Sequence, residues 1–404
     1  MAPRNHIDDL RGATRLAIDA TRGITDLAQA IHEEIASGPA FLGRPLAGPV
    51  RALNEIVYGH VRGVTSLVGA SIDLALAGLA PLADLASLAA APRELDMLLA
   101  ALNGVLGDYL AATGNPLAIA MQFRHRGETL VPERDALRGT LPAATPRVLV
   151  LLHGLAMSEW HWHWSGHDHG AALARDLGFT PIYLRYNSGR HVSENGRDLA
   201  VLLERLVGEW PVPVEELAII GYSMGGLVAR SACAAAEASA PPWRERLRTL
   251  ICLGTPHHGS PLERAGNLVD RLLGISRYSA PFARLGKIRS AGITDLRYGN
   301  VLDEHWNHAD DRFAGGGDPR KGMRLPAGVA CHAIAGTLSP GPSGRLRGDG
   351  LVQVASALGH HDDAALDLAF PTAHQAIVYG TGHLGLLNSP EVYAVLRAAL
   401  ERRG

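Results

Sequence analysis

The sequence predicts an α/β protein in which a mostly parallel sheet is flanked by helices and preceded by a helical amino-terminal region. Two observations carry this prediction. From residue 147 onward, short apolar runs typical of buried parallel strands alternate with stretches of helical period. Before that point the apolar residues follow a helical period, and the chain contains neither Cys nor Trp.

The composition excludes several classes of protein. The 404 residues are 47% hydrophobic and 19% charged, which is typical of a folded globular chain and not of a disordered one. The net charge of -2 lacks the basic excess of a nucleic-acid-binding protein. Because Cys233, Cys252 and Cys331 show no CxxC spacing, we expect buried thiols, with neither a disulfide framework nor a zinc site.

The amino-terminal region, residues 1–123, is predicted to be helical. Apolar residues from Leu10 to Ile31 recur at intervals of three and four and form a narrow stripe. Further helices are expected over residues 47–72, 74–89 and 92–112. The stripe is interpreted as packing within the protein, and its alternatives are a homo-oligomer contact and a peripheral contact with a membrane or lipid granule.

We expect neither an export signal nor a membrane-spanning helix. The first residues mix Arg and Asp with apolar ones, whereas a signal peptide needs a basic start followed by an apolar run. The most apolar stretch, residues 64–92, is interrupted by Asp73 and Asp84, and its uncharged runs are shorter than the roughly 20 residues that a span needs. The expected location is therefore cytoplasmic.

Residues 124–404 are predicted to form one catalytic domain, which begins with a polar stretch up to residue 146. The predicted strands are Arg147–Leu152, Pro181–Tyr186, Leu217–Tyr222, Thr249–Gly254, Val329–Ala335 and Ala376–Tyr379. The predicted helices are Gly170–Leu177, Ser193–Trp210, Gly225–Ala238 and Pro390–Arg402. The interval from about residue 260 to 326 has no strand pattern and is interpreted as a cap insertion.

Ser223 is the candidate nucleophile. It lies in the segment GYSMGG, residues 221–226, between a predicted strand and a predicted helix. A GxSxG match alone is a weak signal, but the strand–turn–helix context is that of a nucleophile elbow. Sterics explain why positions 221 and 225 are glycine, since side chains at these positions would collide in so sharp a turn.

A serine hydroxyl needs a base to remove its proton, and a carboxylate must hold that base in the right tautomer. His383 is the candidate base because it lies between the last predicted strand and the last helix. His374, before or within that strand, is interpreted as structural. His360 and His361 lie in a charged loop.

Asp349 is the candidate acid. It follows the strand predicted over Val329–Ala335, lies between two glycines, and gives the chain order Ser, acid, His. The competitors are Asp303, in the predicted cap, and Asp362 and Asp363, in a polar surface turn.

The oxyanion that forms during acyl transfer needs two backbone N–H donors. The N–H of Met224, directly after the nucleophile, is the first candidate. The second is the N–H of Leu155, in the loop after the first strand of the catalytic domain. His153, in the same loop, is interpreted as a residue that organises it.

Two further segments receive no chemical role. The segment from Trp160 to His169 contains His161, His163, His167 and His169, but no metalloprotease pattern accompanies them. We interpret it as an aromatic and polar loop beside the pocket, with a metal site as the alternative, and predict neither a metal nor a cofactor. Residues 254–260, GTPHHGS, are expected to shape the floor of the site.

From about Arg147 to its end, the chain resembles the α/β-hydrolase fold, and within it the bacterial triacylglycerol lipases and the GPI inositol-deacylase-like esterases. The segments that carry the resemblance are LLHGL (151–155), GYSMGGLVAR (221–230), LGTPHHGSP (253–261), DGLV (349–352) and HLG (383–385). The resemblance implies a serine carboxyl-ester hydrolase with Ser223, His383 and Asp349 as its triad, and with the N–H groups of Leu155 and Met224 as oxyanion donors.

This chain departs from that family at two positions. Many relatives have His where Tyr222 stands. The secreted bacterial lipases place a calcium-ligating Asp two residues after the catalytic His, and that position here is Gly385, so no calcium site is expected.

The expected function is hydrolysis of hydrophobic acyl esters through an acyl-serine intermediate, since the predicted cap offers Leu, Ile and Phe. The same triad serves thioesterases, acyltransferases and intracellular polyester depolymerases, which stay open. Alternatives of another class are a lipid- or granule-surface binding protein that acts through its amino-terminal helices and a partner-binding module that oligomerises through the stripe.

Overall fold

The computed structural model describes residues 12, 93–237, 241–260, 290–306, 320, 322–343 and 346–401. All residues of the apolar stripe, and the helices predicted over residues 47–72 and 74–89, lie outside these residues. The chain divides into two compact units, one formed by residues 93–111 and 119–404 with Met1, the other by residues 2–92 and 112–118. The elements described below belong to the first unit, except that the helix starting at Arg93 ends one residue beyond it.

An eight-stranded sheet forms the centre of this unit. Its strands are β1 Gln122–His125, β2 Glu128–Leu130, β3 Arg147–Leu152, β4 Thr180–Arg185, β5 Glu216–Tyr222, β6 Leu247–Leu253, β7 Ala330–Thr337 and β8 Gln375–Tyr379. Their order is β2-β1-β4-β3-β5-β6-β7-β8. The six strands β3 to β8 are parallel to one another, whereas β1 is antiparallel to both of its neighbours. The predicted mostly parallel sheet is confirmed.

Helices cover both faces of the sheet. They are α1 Arg93–Ala112, α2 Arg134–Thr140, α3 His169–Leu177, α4 Val192–Glu209, α5 Met224–Glu237, α6 Pro242–Arg246, α7 Ala291–Asp295, α8 Val354–Ala357 and α9 Pro390–Leu400. Short 3-10 helices span Glu159–Gly166, Asp303–His305, Thr372–His374 and Leu384–Leu387. In the described part of the predicted cap there is a helix and a 3-10 turn but no strand. None of the described helices is long and apolar enough to cross a membrane.

The buried strands explain why the sequence shows apolar runs without alternation. Val148, Val150 and Leu152 of β3 enter a core that includes residues of α4 and α5. Leu149 and Leu151 enter a second core on the opposite face, with residues of α3 and α9. Because both faces are covered, every position after the first in β3 is apolar, as parallel sheets require.

The hairpin of β1 and β2 is absent from the sequence-based prediction, which treats this stretch as a polar connection. Its two-residue turn, Arg126-Gly127, has φ values of 49° and 83°, and His125 pairs with Glu128 across it. Positive φ at both positions is the type I′ geometry, which Asn-Gly or Asp-Gly normally signals. An Arg in the first position removes that signal.

The strand order places a topological switch point beside β3. After β3 the chain first adds β4 on one side and then β5 on the other. In open parallel sheets, ligands bind in the crevice at the carboxyl ends of the two strands that flank such a point. The residues that follow β3 and β5 therefore lie where a functional site is expected.

Helix α1, predicted over residues 92–112, is confirmed and contacts the end of β4. Asp96 accepts two hydrogen bonds from Arg185 at the end of β4, at 2.8 and 2.7 Å. Arg185 also pairs with Glu159. All three side chains are buried. A helix that the sequence assigns to the amino-terminal region is thus bound to the sheet by a buried ion pair.

Candidate active site

Ser223 lies at the sharp turn between β5 and α5. Its φ is 53°, in the left-handed region that residues with a side chain rarely adopt. Its N–H donates to the C=O of Leu253 at the end of β6 (2.8 Å), and its C=O accepts from the N–H of Gly226 (3.1 Å). The neighbouring backbone therefore holds Ser223 in a strained conformation, as in a nucleophile elbow.

Glycines permit the close approach of this turn to β3 and β6. A Cβ at Gly221 would lie 2.5 Å from the Cα of Gly226, and one at Gly225 would lie 2.6 Å from the C=O oxygen of Leu152. A Cβ at Gly226 would lie 2.0 Å from Thr255 Oγ1. A larger residue at any of these positions would displace the elbow, in agreement with the steric role predicted for Gly221 and Gly225.

His383 and Asp349 form a buried pair at the carboxyl edge of the sheet. His383 Nδ1 lies 2.7 Å from Asp349 Oδ2, and the two side chains are only 4% and 1% exposed. The backbone N–H of His383 donates to the C=O of Asp349 (2.9 Å). A carboxylate beside Nδ1 keeps the proton on that nitrogen, which leaves Nε2 as the proton acceptor.

The loop of Asp349 fixes its carboxylate. Oδ1 accepts the N–H groups of Leu351 (3.0 Å) and Val352 (2.8 Å), and the N–H of Asp349 donates to the C=O of Val352 (3.1 Å). Gly350 has a φ of 100°, a conformation that favours glycine. The flanking glycine therefore allows the tight turn in which Oδ1 bonds to the loop and Oδ2 to His383.

Ser223 and His383 lie on two sides of the chain at the end of β6. The N–H of Ser223 bonds to Leu253, and a Cβ at Gly254 would lie 3.3 Å from His383 Cε1. The hydroxyl of Tyr222 donates to the C=O of His383 (3.1 Å). Within the described residues, no hydrogen bond joins Ser223 Oγ to His383. In substrate-free enzymes this bond is often long and tightens only in the substrate complex.

The turn after β3 lies against the elbow. A Cβ at Gly154 would be 3.2 Å from Ser223 Cβ and 3.3 Å from Tyr222 Cδ1. The N–H of Leu155 has no acceptor among the described residues. Met224 begins α5, and the N–H groups of a first helical turn have no intrahelical partner. The N–H groups of both candidate oxyanion donors, Leu155 and Met224, thus have no hydrogen-bond acceptor within the turn or helix to which they belong.

His153 is buried inside this turn. Its ring stacks on Tyr186 with centroids 4.2 Å apart, and the hydroxyl of Tyr186 donates to the C=O of His153 (2.8 Å). Burial lowers the pKa of His153 to about 3, so the ring stays neutral near pH 7. These contacts agree with the predicted role of His153 as a residue that organises the loop.

The competing carboxylates and histidines make other contacts. Asp303 pairs with an arginine of α4, and Asp362 and Asp363 are exposed. His374 lies 3.2 Å from a backbone C=O of β7, and His360 contacts Gln375 (3.0 Å). Of the carboxylates considered from the sequence, the structure brings Asp349 to His383.

The histidines between residues 160 and 169 contact several different groups, and His167 Nε2 lies 2.9 Å from His169 Nδ1. His161 accepts a backbone N–H (3.1 Å), His163 lies 2.8 Å from Asp168, and His169 contacts a backbone C=O (3.0 Å). Among the residues that the structure describes, no group of three or more His, Cys, Asp or Glu side chains is arranged to hold a metal ion.

Buried histidines, among them His153, His161 and His169, are expected to make the fold sensitive to acid. Burial lowers the pKa of His153 to about 3 and those of His161 and His169 to about 4. An unfolded histidine protonates near pH 6.5, so below that value the unfolded state binds more protons and stability falls as pH falls. We expect the free energy of unfolding, measured with urea, to drop by about 1 kcal/mol per histidine between pH 7.5 and 5.5.

The matched variants for this experiment are His161→Gln and His360→Gln. The first should flatten the pH profile, whereas the second, in a half-exposed side chain, should leave it unchanged. A wild-type stability that does not change over this interval would contradict the assignment of these rings as buried and neutral.

Residues 254–260 anchor α5 behind the elbow. Thr255 packs against Gly226, and His257 Nδ1 accepts a hydrogen bond from Arg230 of α5 (3.1 Å). Arg230 is buried, which lowers its pKa to about 10. This segment therefore supports the turn that carries Ser223.

The predicted buried thiols are confirmed. Cys233, Cys252 and Cys331 are free and buried, and burial raises the pKa of each to about 12. A nucleophilic cysteine needs a thiolate, and at neutral pH these side chains are thiols. Their contribution is packing.

Ser188 contacts the turn after β3, which carries the candidate oxyanion donor Leu155, yet the sequence alone does not single it out. It lies in the loop after β4, is 1% exposed, and its Oγ accepts the N–H of Ala156 (2.9 Å). The available signal is the polar run from Asn187 to Arg190 at the carboxyl end of a predicted parallel strand.

Residues 197–319 match the family model described as a PGAP1-like alpha/beta domain. The matched segment includes β5, the elbow and β6. Together with the sheet order, the match confirms the predicted α/β-hydrolase fold and the resemblance to lipases and esterases. No curated protein sequence matches the chain.

Solved structures with a similar fold include a mature lipase of Bacillus licheniformis, at 18% identity and a TM-score of 0.42, covering 64% of this chain and 93% of that chain. An esterase of Pyrococcus furiosus matches at 13% identity and a TM-score of 0.37, and the match covers 63% of this chain and 81% of the esterase. A phospholipase of Legionella pneumophila, solved with thio-NAD, matches at 16% identity and a TM-score of 0.33, and the match covers 52% of this chain and 44% of the phospholipase. We take the fold from the sheet order and the family match.

Proposed function

We propose that this α/β-hydrolase is a serine carboxyl-ester hydrolase that cleaves hydrophobic acyl esters through an acyl-Ser223 intermediate. The observation that carries the proposal is the buried hydrogen bond of 2.7 Å between His383 and Asp349. It lies beside a serine held at a φ of 53° after β5, at the switch point of the sheet. An oriented base next to a serine on a strained turn is the arrangement that activates a hydroxyl nucleophile.

In the acylation step, Ser223 Oγ attacks the carbonyl carbon of the ester while His383 Nε2 takes the hydroxyl proton. Asp349 accepts the Nδ1–H of the ring and stabilises the imidazolium. The carbonyl oxygen becomes an oxyanion, and the N–H groups of Leu155 and Met224 donate to it. The carbon–oxygen bond to the alcohol then breaks, and His383 returns its proton to the departing alkoxide.

In the deacylation step, water takes the place of the alcohol. His383 removes a proton from the water as its oxygen attacks the acyl carbon, and the same two N–H groups stabilise the second oxyanion. Collapse of this intermediate breaks the bond to Ser223 Oγ, which regains a proton from His383. The products are a carboxylic acid and free enzyme.

The preference for a hydrophobic substrate is supported by Leu338. Its side chain is 52% exposed, although large apolar residues are usually buried. Leu338 lies 3.7 Å from the Cβ that Gly350 would carry and 3.5 Å from that of Gly382, so it neighbours the loops of both Asp349 and His383. An exposed leucine beside the acid and the base offers an apolar contact to a substrate.

A panel of nitrophenyl esters from acetate to decanoate tests this function. We expect the wild-type protein to hydrolyse these esters. We expect Leu338→Ser to lower kcat/KM about 10-fold for the octanoate ester but little for the acetate ester, since one apolar pocket contact contributes about 1–3 kcal/mol. Val201→Ser, which changes another exposed apolar residue (66% exposed), is the control and should change neither rate.

Two results would count against the proposal. Folded wild-type protein that turns over none of the esters would overturn ester hydrolysis itself. Equal losses for acetate and octanoate in Leu338→Ser would overturn the apolar contact at this residue.

A further inference from the structure

The turn that carries the Leu155 N–H contains a residue in a strained conformation. Ala156, the next residue, has a φ of 58°, in the left-handed region that disfavours a Cβ. Such a conformation costs about 1–2 kcal/mol and persists only where the surroundings impose it. The contacts of Ala156 therefore identify what holds this turn.

Ser188 holds the turn from the loop after β4. Its Oγ accepts the N–H of Ala156 at 2.9 Å, and both residues are buried. This N–H belongs to the peptide unit that joins Leu155 to Ala156, so the hydrogen bond fixes the backbone directly after the Leu155 N–H. Without the Ser188 oxygen, a buried donor would have no partner, and the turn would rotate to find one.

Helix α1 holds the turn from the other side through Gly104. A Cβ at Gly104 would lie 2.6 Å from Ala156 Cβ, 2.7 Å from its Cα and 2.9 Å from its N. Distances below 3.0 Å are essentially never seen for real Cβ atoms, so only glycine lets α1 approach this closely. Glycine inside a helix is about 0.5–1 kcal/mol less favourable than alanine, a cost that the close contact explains.

Two further contacts join α1 to the end of β4 and to the loop that follows it. Near its start, the buried Asp96 accepts hydrogen bonds from Arg185 at the end of β4. Further along, the C=O of Gly107 accepts from Asn187 Nδ2 at 2.8 Å. Asn187 directly precedes Ser188, so the helix and the loop form one support for the oxyanion turn.

We propose that Gly104 of α1 and Ser188 are positioning residues that hold the Leu155 N–H in the place where an oxyanion forms. This inference rests on the proposed function, because it assigns a role within that reaction. Neither residue touches the reacting atoms; both act through the conformation of Ala156. The proposal gives the last helix before the predicted catalytic domain a part in catalysis.

Steady-state kinetics of the full-length variants Ser188→Ala and Gly104→Ala test this proposal. Because a small misplacement of a catalytic group can reduce the rate by up to about 100-fold, we expect kcat for a nitrophenyl ester to fall about 10- to 100-fold in each. We expect KM to change less than about twofold, since the donor acts mainly in the transition state. The matched control is Gly208→Ala in α4, where a Cβ would meet open space.

The double variant Gly104→Ala/Ala156→Gly separates positioning from general damage. Glycine at position 156 removes the Cβ, the nearest of the three atoms that a methyl at 104 would strike, and its freedom to adopt other backbone angles lets the turn shift away from the remaining two. We therefore expect the double variant to recover part of the kcat that Gly104→Ala loses. If Gly104→Ala fails to fold, Ser188→Ala alone tests the proposal. This variant adds no atoms and therefore introduces no steric clash.

The outcomes distinguish this proposal from the proposed function. Folded Ser188→Ala and Gly104→Ala proteins with wild-type kcat, or with only KM raised, would overturn the positioning role while ester hydrolysis stands. A wild-type protein that turns over no ester would overturn the function itself. A lower kcat with preserved KM, together with recovery in the double variant, supports the proposal.

Discussion

Replacing Ser223 by alanine is expected to reduce kcat for nitrophenyl ester hydrolysis by about 10⁶-fold. The variant lacks the oxygen that attacks the ester, while the Cβ and the backbone contacts of the elbow are retained. Steady-state rates at saturating ester measure the effect, and near-ultraviolet circular dichroism checks that the fold is intact. A folded variant with wild-type turnover would show that the reaction does not use this hydroxyl.

Ser223→Gly is expected to be inactive as well but more stable than Ser223→Ala, by about 1 kcal/mol. The φ of 53° at this position disfavours any residue with a Cβ, and glycine adopts it without strain. Urea unfolding of the two variants measures the difference. If the glycine variant is the less stable of the two, the turn does not impose strain on Ser223.

Replacing Asp349 by asparagine is expected to lower kcat by about 10⁴-fold with little loss of stability. An amide oxygen can keep the bonds to Leu351 and Val352, but the amide cannot hold His383 with its proton on Nδ1 as a carboxylate does. Rates and thermal unfolding of the variant separate the two effects. Asp362→Asn, in an exposed side chain, is the control and should keep wild-type kcat.

A kcat for Asp349→Asn within about tenfold of the wild-type value would contradict this assignment. It would mean that a group other than Asp349 orients His383. The competing carboxylates, Asp303, Asp362 and Asp363, would then each be replaced by asparagine and assayed in the same way.

The sheet is predictable from the sequence because its inner strands are buried on both faces. Positions that alternate between two cores, such as Val150 and Leu151 in β3, are apolar alike, and this produces the short runs that mark each strand. The hairpin of β1 and β2 offers no such run. Its turn has the required backbone geometry but an arginine where asparagine or aspartate would signal it.

Two of the triad candidates are predictable because each occurs in a short motif just after a strand. Ser223 follows β5 in a glycine-rich turn, and His383 follows β8, so local sequence and chain order are sufficient to propose them. The supports that we propose for the turn after β3 are different. The contact of Gly104 with Ala156 and the pairing of Asp96 with Arg185 join residues far apart in the chain. No local pattern encodes such contacts.

Covalent trapping of the nucleophile tests the central claim most directly. The full chain would be treated with a fluorophosphonate, which reacts with activated serine hydroxyls, and the modified residue would be located by peptide mass spectrometry. We predict one adduct per chain, on Ser223, no adduct in Ser223→Ala, and slower labelling in Asp349→Asn. An adduct on another residue, or an unmodified wild-type chain, would contradict the proposal that Ser223 is the nucleophile of an ester hydrolase.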